Sequence, residues 1–326
     1  MFRQQFKHIG RHLLIAIFII FSIAVINFFL LHLAPGDAVD VLASEAGSAT
    51  PEYITQLREK FGLDQPFYVQ LFSYLRNLLI LDLGFSFRHD KPVSLLILER
   101  LIPTLILMVT TILLAVGGGI LLGVVAAMGF NTWRDNLISI FALVSYATPL
   151  FWVGLMFILL FSIQLDWLPT SGMETIGAFY EGWERILDIA KHLILPSTSL
   201  ALYYLALYTR LMRTSMLEQS NMDYVTTARA KGLKESGIAF RHILPSALLP
   251  IITMAGVQVG GLIGGSVIVE SVFGWPGLGT LAFESLFARD LNLLLGIFFL
   301  SSCLVVTANF AMDLIYSFLD PRIDLR

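Results

Sequence analysis

The sequence predicts an all-α polytopic membrane protein with six transmembrane helices, and three observations carry that prediction. Of its 326 residues, 56% are hydrophobic and only 14% charged, against about 25% charged in soluble domains, and the mean hydropathy is +0.78. Six charge-free runs, 13–36, 101–133, 136–165, 192–209, 242–269 and 291–312, each supply the roughly 20 residues that a ~30 Å hydrocarbon core requires, the fourth being the shortest. The pieces between the runs alternate in basic density. Residues 1–12, 129–136, 210–246 and the tail from Tyr316 hold 12 Lys and Arg, whereas the nearly twice as long pieces 34–100, 164–192 and 270–291 hold 9, which places both termini in the cytoplasm.

The first run begins after Arg3, Lys7 and Arg11, and its apolar stretch from Leu13 to Leu31 exceeds the roughly 7 to 15 residues of a signal-peptide core, so it reads as a retained helix. Residues 1–33 therefore form a cytoplasmic tail and first span. Residues 34–100 form an external element, too polar for lipid, and residues 101–326 a five-helix core. In the external element Thr50 and Pro51 open a helix that Gly62 ends, and Pro66 opens an amphipathic one carrying Leu71, Leu75, Leu78 and Leu79.

In the second run Ala115, Gly119, Gly123 and Ala127 recur every fourth residue, and in the fifth Gly256, Gly260 and Gly264 do the same. Small residues at that spacing line one helix face and permit close approach; the spacing does not separate packing within the bundle from a role in a pathway or a subunit contact. Pro149 and Pro196 can loosen their helices, while Pro103 and Pro250 lie near span ends.

Several functional classes are excluded. A net charge of −3 and a pI near 6.1 lack the basic excess of a nucleic-acid binder. The single cysteine, Cys303, rules out an internal disulfide framework. The span centres carry no ionisable side chain of the kind that binds a coupling ion; Glu270 and Asp313 lie near span ends, and Asn27, Gln258 and Asn309 are neutral. No metal or catalytic residue is expected, since the histidines at 8, 12, 32, 89, 192 and 242 show no ligand spacing and no nucleophile motif appears. None of the six lysines follows a glycine, so the chain has no phosphate-binding loop and no cofactor of its own; ATP, if it drives the protein, binds elsewhere.

The loop at 210–246 carries Arg210, Arg213, Arg229, Lys231, Lys234 and Arg241. Asp223 is its N-cap candidate, Tyr224 to Lys231 gives two helical turns, and Gly232 offers the left-handed conformation that ends a helix. Ala228 and Ala230 leave little bulk, so a partner's groove can approach, and Tyr224 and Val225 offer apolar anchors. Asp223 to Leu233, followed by His242-Ile-Leu-Pro245, resembles the coupling loop of ABC-importer permeases, whose pattern is Glu-Ala-Ala, three residues, Gly, nine residues, Ile-x-Leu-Pro. Thr226 and Thr227 stand in place of the Glu and the first Ala, and His242 in place of the Ile, so the register rests on Ala228, Gly232, Leu244 and Pro245.

Five further stretches, Leu33 to Asp37, Lys60 to Pro66, Asp82 to Ser86, Trp167 to Gly172 and Glu270 to Gly279, resemble in order and spacing the B-type permease of dipeptide, oligopeptide and nickel importers. The resemblance implies a type I ABC importer fold in the bacterial inner membrane, paired with a second, similar permease. It also implies two ATPase subunits that bind ATP and Mg, and an external solute-binding protein. By the same resemblance, Asp223, Tyr224, Val225, Ala228, Arg229, Ala230, Lys231 and Gly232 couple to the ATPase. Glu270, Phe273, Gly274, Pro276, Gly277 and Gly279 form an outer gate. Peptide is the expected cargo, with nickel or another chelate as the alternative.

Overall fold

The computed structural model describes residues 2–33, 55, 64–86 and 88–319, with the backbone alone at 2–13, 31, 257, 259–265 and 312–319. Apart from Thr55, which is helical, the expected helix from Pro51 to Phe61 lies outside the described residues. The described part of each charge-free run is mostly helical. Among the described residues, three helices are long and apolar enough to cross a membrane, or up to five if each of two bent helix pairs counts as one span.

The chain divides into two compact units, Met1–Ile102 with Gly277–Arg326, and Pro103–Pro276. The first holds α1 (Phe2–Leu33), α2 (Phe67–Leu79), a two-stranded antiparallel ribbon of β1 (Phe85–Ser86) and β2 (Lys91–Pro92), and the start of α3 (Val93–Met128). Then come α10 (Leu278–Phe287) and α11 (Leu291–Leu319). Pro66 is the N-cap of α2, where its missing N–H costs no helical bond. Val93, Ile97, Leu281, Leu293 and Ile297 form one core of this unit, and Ala24, Leu78 and Phe299 pack α1 and α2 on α11. Asp290 holds the start of α11: its carboxylate accepts from the Leu293 amide at 3.1 Å and from the Ser86 hydroxyl, tying the ribbon to the helix end.

The second unit holds the rest of α3, then α4 (Trp133–Ala147), α5 (Leu150–Phe157) with a π-helical continuation Ile158–Gln164, and α6 (Gly182–Ser220). It continues with α7 (Asp223–Ala230), α8 (Glu235–Ile238) with a π-helical turn Ala239–Ile243, and α9 (Leu244–Phe273). Its core runs from Leu107 and Ala115 through Leu200, Tyr208 and Met212 to Val225, Ile238, Ile251 and Phe273. Long apolar side chains such as Leu113 and Leu121 point outward, as a lipid-facing surface requires.

The run 136–165 is not one helix. Thr148 is extended, at φ −82° and ψ 131°, as a residue before proline prefers, and α4 turns by 104° into the helix starting at Leu150. Pro149 thus does more than loosen its span. Pro196 stays inside α6, and Pro103 and Pro250 inside α3 and α9. At 39 residues, α6 is about 58 Å long by its rise per residue, so it continues well past the predicted end of its span. Residues 210–220, expected as loop, are its last turns.

The small-residue face of the second run is a real contact. A Cβ at Gly119 would lie 2.4 Å from Tyr208 Cβ, and one at Gly123 2.5 Å from Met212 Cβ, so α3 and α6 touch almost backbone to backbone. On α9 Gly256 is buried; Gly260 and Gly264 are helical, and their surroundings lie outside the described residues.

Candidate functional site

Two groups of candidate residues stand at the far ends of the second unit. At one end α6 passes through Asn221 and Met222 into the eight residues of α7. Met222, with φ −78° and ψ 151°, is the N-cap, and its side chain makes no capping bond. Asp223, expected there, is instead the first helical residue, where its negative charge faces the positive end of the helix. The helix then closes as the sequence implies. The Gly232 amide donates to Arg229 O at 2.9 Å and the Leu233 amide to Ala228 O at 3.4 Å, with Gly232 at φ 74°.

The two faces of α7 differ from expectation in one respect. Val225 is 0% exposed and Ala228 5%, both packed in the core that also contains Met212, Met216, Ile238 and Ile243. Neither is available to a partner; spaced three apart, they share one face and seat the helix on its own chain. Asp223, Tyr224, Thr226, Thr227, Arg229, Ala230 and Lys231 are exposed. Tyr224 is oriented by its hydroxyl, which donates to Gln219 Oε1 at 2.9 Å. Arg229 pairs within the chain, its Nε 2.9 Å from Glu235 Oε1, which bridges the Gly232 turn to α8.

Beside this helix lies a contact the sequence reading missed. Arg213 on α6 grips Asp135 on α4 with two bonds, Nε to Oδ1 at 2.6 Å and Nη2 to Oδ2 at 2.8 Å. The Asp135 side chain is 3% exposed and that of Arg213 27%. The Asn131 amide also donates to Asp135 at 3.1 Å, and the guanidinium lies 5.4 Å from the centre of the Phe130 ring. The only signal in the sequence was opposite charge at the same-side ends of two neighbouring spans. The Arg213 hydrogen bonds, with smaller help from Asn131, outweigh burial and hold the Asp135 carboxyl below the ordinary carboxylate range.

A lowered carboxyl pKa stabilises the fold at every pH above the unfolded value, and that gain is lost as pH falls through the folded value. Asp135→Asn should therefore lower the thermal stability of the purified protein at neutral pH by about 1.5–3 kcal/mol, the scale of hydrogen bonds to a charged group. The gap to wild type should stay constant down to about pH 4, the unfolded carboxylate value, and close only below it. A gap that closes between pH 7 and 5 would contradict the assignment.

At the other end of the unit, Glu270 in the last turn of α9 is 0% exposed and accepts a hydrogen bond from Thr104 Oγ1 of α3 at 2.8 Å. Phe273 and Trp275 are likewise buried, and Trp275 Nε1 donates to Pro103 O at 2.9 Å. Gly274 ends α9 in the left-handed region at φ 58°. The segment 165–181 is tied there by the Gly172 amide, which donates to Phe273 O at 2.9 Å. It is tied again by Asp188, which accepts from the Thr175 amide at 2.6 Å and the Thr175 hydroxyl at 2.7 Å. Of the residues expected at an outer gate, Glu270 and Phe273 are buried in this unit, Gly274 is exposed and Pro276 half-buried; Gly277 caps α10 and Gly279 lies buried in its first turn. Among the described residues no group of three or more His, Cys, Asp or Glu side chains could hold a metal ion.

Residues 119–325 match the model for the binding-protein-dependent transport system inner membrane component, and residues 5–108 match that of the N-terminal part of such membrane components. The oligopeptide transport system permease protein AppB of Bacillus subtilis (strain 168) is 40% identical over 318 residues, covering 97% of this chain and 99% of that one. The dipeptide transport system permease protein DppB of Alkalihalophilus pseudofirmus is 35% identical over 331 residues, covering 96% and 98%. Among solved structures, a chain of the MetNI methionine ABC transporter in an inward-facing conformation superposes with a TM-score of 0.57 at 17% identity, over 69% of this chain and 96% of that one. That likeness carries the fold, and the expected type I importer permease architecture is met.

Proposed function

The chain belongs to the family of binding-protein-dependent transport system inner membrane components, and from that membership we propose that it is the permease subunit of an ATP-driven importer of dipeptides or oligopeptides. The names of its relatives support the cargo. The observation that carries the mechanism is α7. It is a two-turn helix whose inner face, Val225 and Ala228, is seated in the core and whose outer face is exposed.

In this reading the exposed face sits on one of two partner ATPases that bind ATP and Mg. A second, similar permease completes the pathway, and an external binding protein delivers peptide. Closure of the ATPases pushes α7 as a rigid piece. Val225 and Ala228 pass the displacement to Met212 and Met216 on α6, and the Arg213–Asp135 pair passes it to α4. The close contact at Gly119 and Gly123 obliges α3 to follow α6, since interlocked backbones shift together. The permease itself performs no chemistry.

The test is peptide uptake by vesicles carrying the complete complex, with binding protein outside and ATP inside. Uptake that needs ATP supports the reading. Uptake driven by an imposed pH gradient without ATP would identify a proton-coupled carrier instead, and ATPase binding without any transport would leave a scaffold. The topology is checked separately: single cysteines at Ala49 and Gly172 should react with an impermeant thiol reagent in intact cells and one at Gly232 should not, because both termini are read as cytoplasmic. External labelling at position 232 would reverse the orientation.

A further inference from the structure

We propose that the tyrosine-lined cavity at the break between α4 and α5 is a subsite that holds a peptide in transit by its backbone; the inference rests on the peptide-importer reading and locates where this chain touches its cargo. The break falls near the middle of the charge-free run 136–165. Non-helical backbone at that depth persists only where protein buries it or where it lines a water-filled cavity. Here it lines a cavity of about 410 Å³, within the roughly 300–1,000 Å³ of small-ligand sites.

The walls combine three tyrosines and Thr148 with apolar Ala147, Pro149, Leu150 and Leu200. Tyr146 comes from the end of α4, Thr148 and Pro149 from the break, and Leu200, Tyr203 and Tyr204 from α6. The Tyr146 and Tyr203 rings stack at 5.2 Å with planes 19° apart, and Tyr204 meets Tyr203 edge-on at 5.2 Å and 90°. The series runs from Tyr146, 43% exposed, to Tyr204, 6% exposed, so it leads from the open side into the wall.

The break adds hydrogen-bond acceptors. Pro149 has no N–H to offer Ser145 O, and the Trp152 amide turns to Pro149 O at 3.0 Å instead of to Thr148 O. Thr148 spends its own hydroxyl on Val144 O at 2.7 Å, and the Tyr146 and Tyr203 phenols hydrogen-bond to each other, so the wall offers the Thr148 carbonyl and phenol oxygens that can still accept. No charged residue lines the cavity. Such a wall does not select the charge of a side chain or hold an ion. It suits what all short peptides share: planar amides that lie against aromatic faces, and N–H groups that donate to carbonyls and phenols. In secondary transporters, broken helices at mid-membrane depth form the solute site because their unwound backbone lines a cavity, and the break here has the same backbone arrangement.

The experiment uses the reconstituted complete complex and counts peptide imported per ATP hydrolysed in wild type, Tyr146→Ala, Tyr203→Ala, Tyr146→Phe and Tyr203→Phe. A tripeptide carrying a benzophenone side chain is photo-crosslinked during turnover. The alanine variants should keep binding-protein-stimulated ATP hydrolysis within about twofold while peptide per ATP falls roughly tenfold, the scale of one lost aromatic contact. The phenylalanine variants, which keep the ring, should fall less, and the benzophenone should label the fragment containing Tyr203. Unchanged peptide per ATP in the alanine variants overturns the proposal. So does parallel loss of ATPase stimulation and transport, which marks the tyrosines as structural, and so does labelling confined to other helices. Wild-type vesicles that import no peptide at all would instead remove the importer reading and this subsite with it.

Discussion

Gly232→Val should abolish the stimulation of ATP hydrolysis by liganded binding protein while leaving membrane insertion and binding-protein contact intact. Gly232 sits at φ 74°, and no atom lies within 4 Å of the place a Cβ would take. The cost of the valine is therefore conformational and not steric: a β-branched residue in the left-handed region is strained by about 1–2 kcal/mol. Relief of that strain means a different path after Lys231. The hydrogen bonds that close α7, from the Gly232 amide to Arg229 O and from the Leu233 amide to Ala228 O, are then lost, and the outer face of α7 swings away from the proposed ATPase. Gly232→Asn, which tolerates the left-handed region, should retain most of the stimulation. Arg229→Glu removes an ion pair whose side chains are 45% and 70% exposed, an interaction worth about 0.2–1 kcal/mol, so it should lose less than the valine variant. ATPase activity of reconstituted complexes with and without liganded binding protein decides the matter. Wild-type stimulation in the Gly232→Val complex would falsify the coupling role.

Gly232 was legible in the sequence because only one residue type takes a positive φ freely, so a glycine after two helical turns states its own geometry. Val225 and Ala228 were expected on the partner-facing side of the helix and lie instead on its inner face, although their three-residue spacing places them on one face. An eight-residue helix is too short for its own pattern to show which face meets the core. The Arg213–Asp135 grip joins residues 78 apart, and no local pattern announces a bond of that range. Proline gave half its message. Pro149 and Pro196 both interrupt apolar runs, yet one ends in a 104° turn and the other stays within a helix. What separates them is tertiary: Leu195, Pro196 and Ser197 are all buried, so packing against the core keeps α6 continuous through its proline. Near Pro149, Val144, Tyr146 and Phe151 are exposed, and the chain is free to turn. The spans themselves were readable because they depend on composition over some 20 residues and not on any single contact.

The same dependence on neighbours makes three glycines of α3 unequal. Gly123→Ala should cost stability where Gly117→Ala costs nothing. A Cβ at Gly117 meets nothing within 4 Å, and replacing glycine by alanine in a helix is worth about 0.8–1 kcal/mol in its favour, so that variant should melt at or above the wild-type temperature. A Cβ at Gly123 would lie 2.5 Å from Met212 Cβ and 2.8 Å from Thr209 O, and one at Gly119 2.4 Å from Tyr208 Cβ and 3.2 Å from Thr209 N. These neighbours are backbone or the first atom of a side chain, and neither rotates away. A single methyl must therefore push α3 and α6 apart along the whole contact, which exceeds the about 1–3 kcal/mol of ordinary overpacking because every neighbouring layer loses its fit. Gly123→Ala and Gly119→Ala should melt several degrees below wild type in detergent, and Gly123→Leu should fail to yield a monodisperse protein. The control on the same helix removes propensity as an explanation. If Gly123→Ala proves as stable as Gly117→Ala, the two helices are not in backbone contact, and the route by which α7 would move α3 is lost with it.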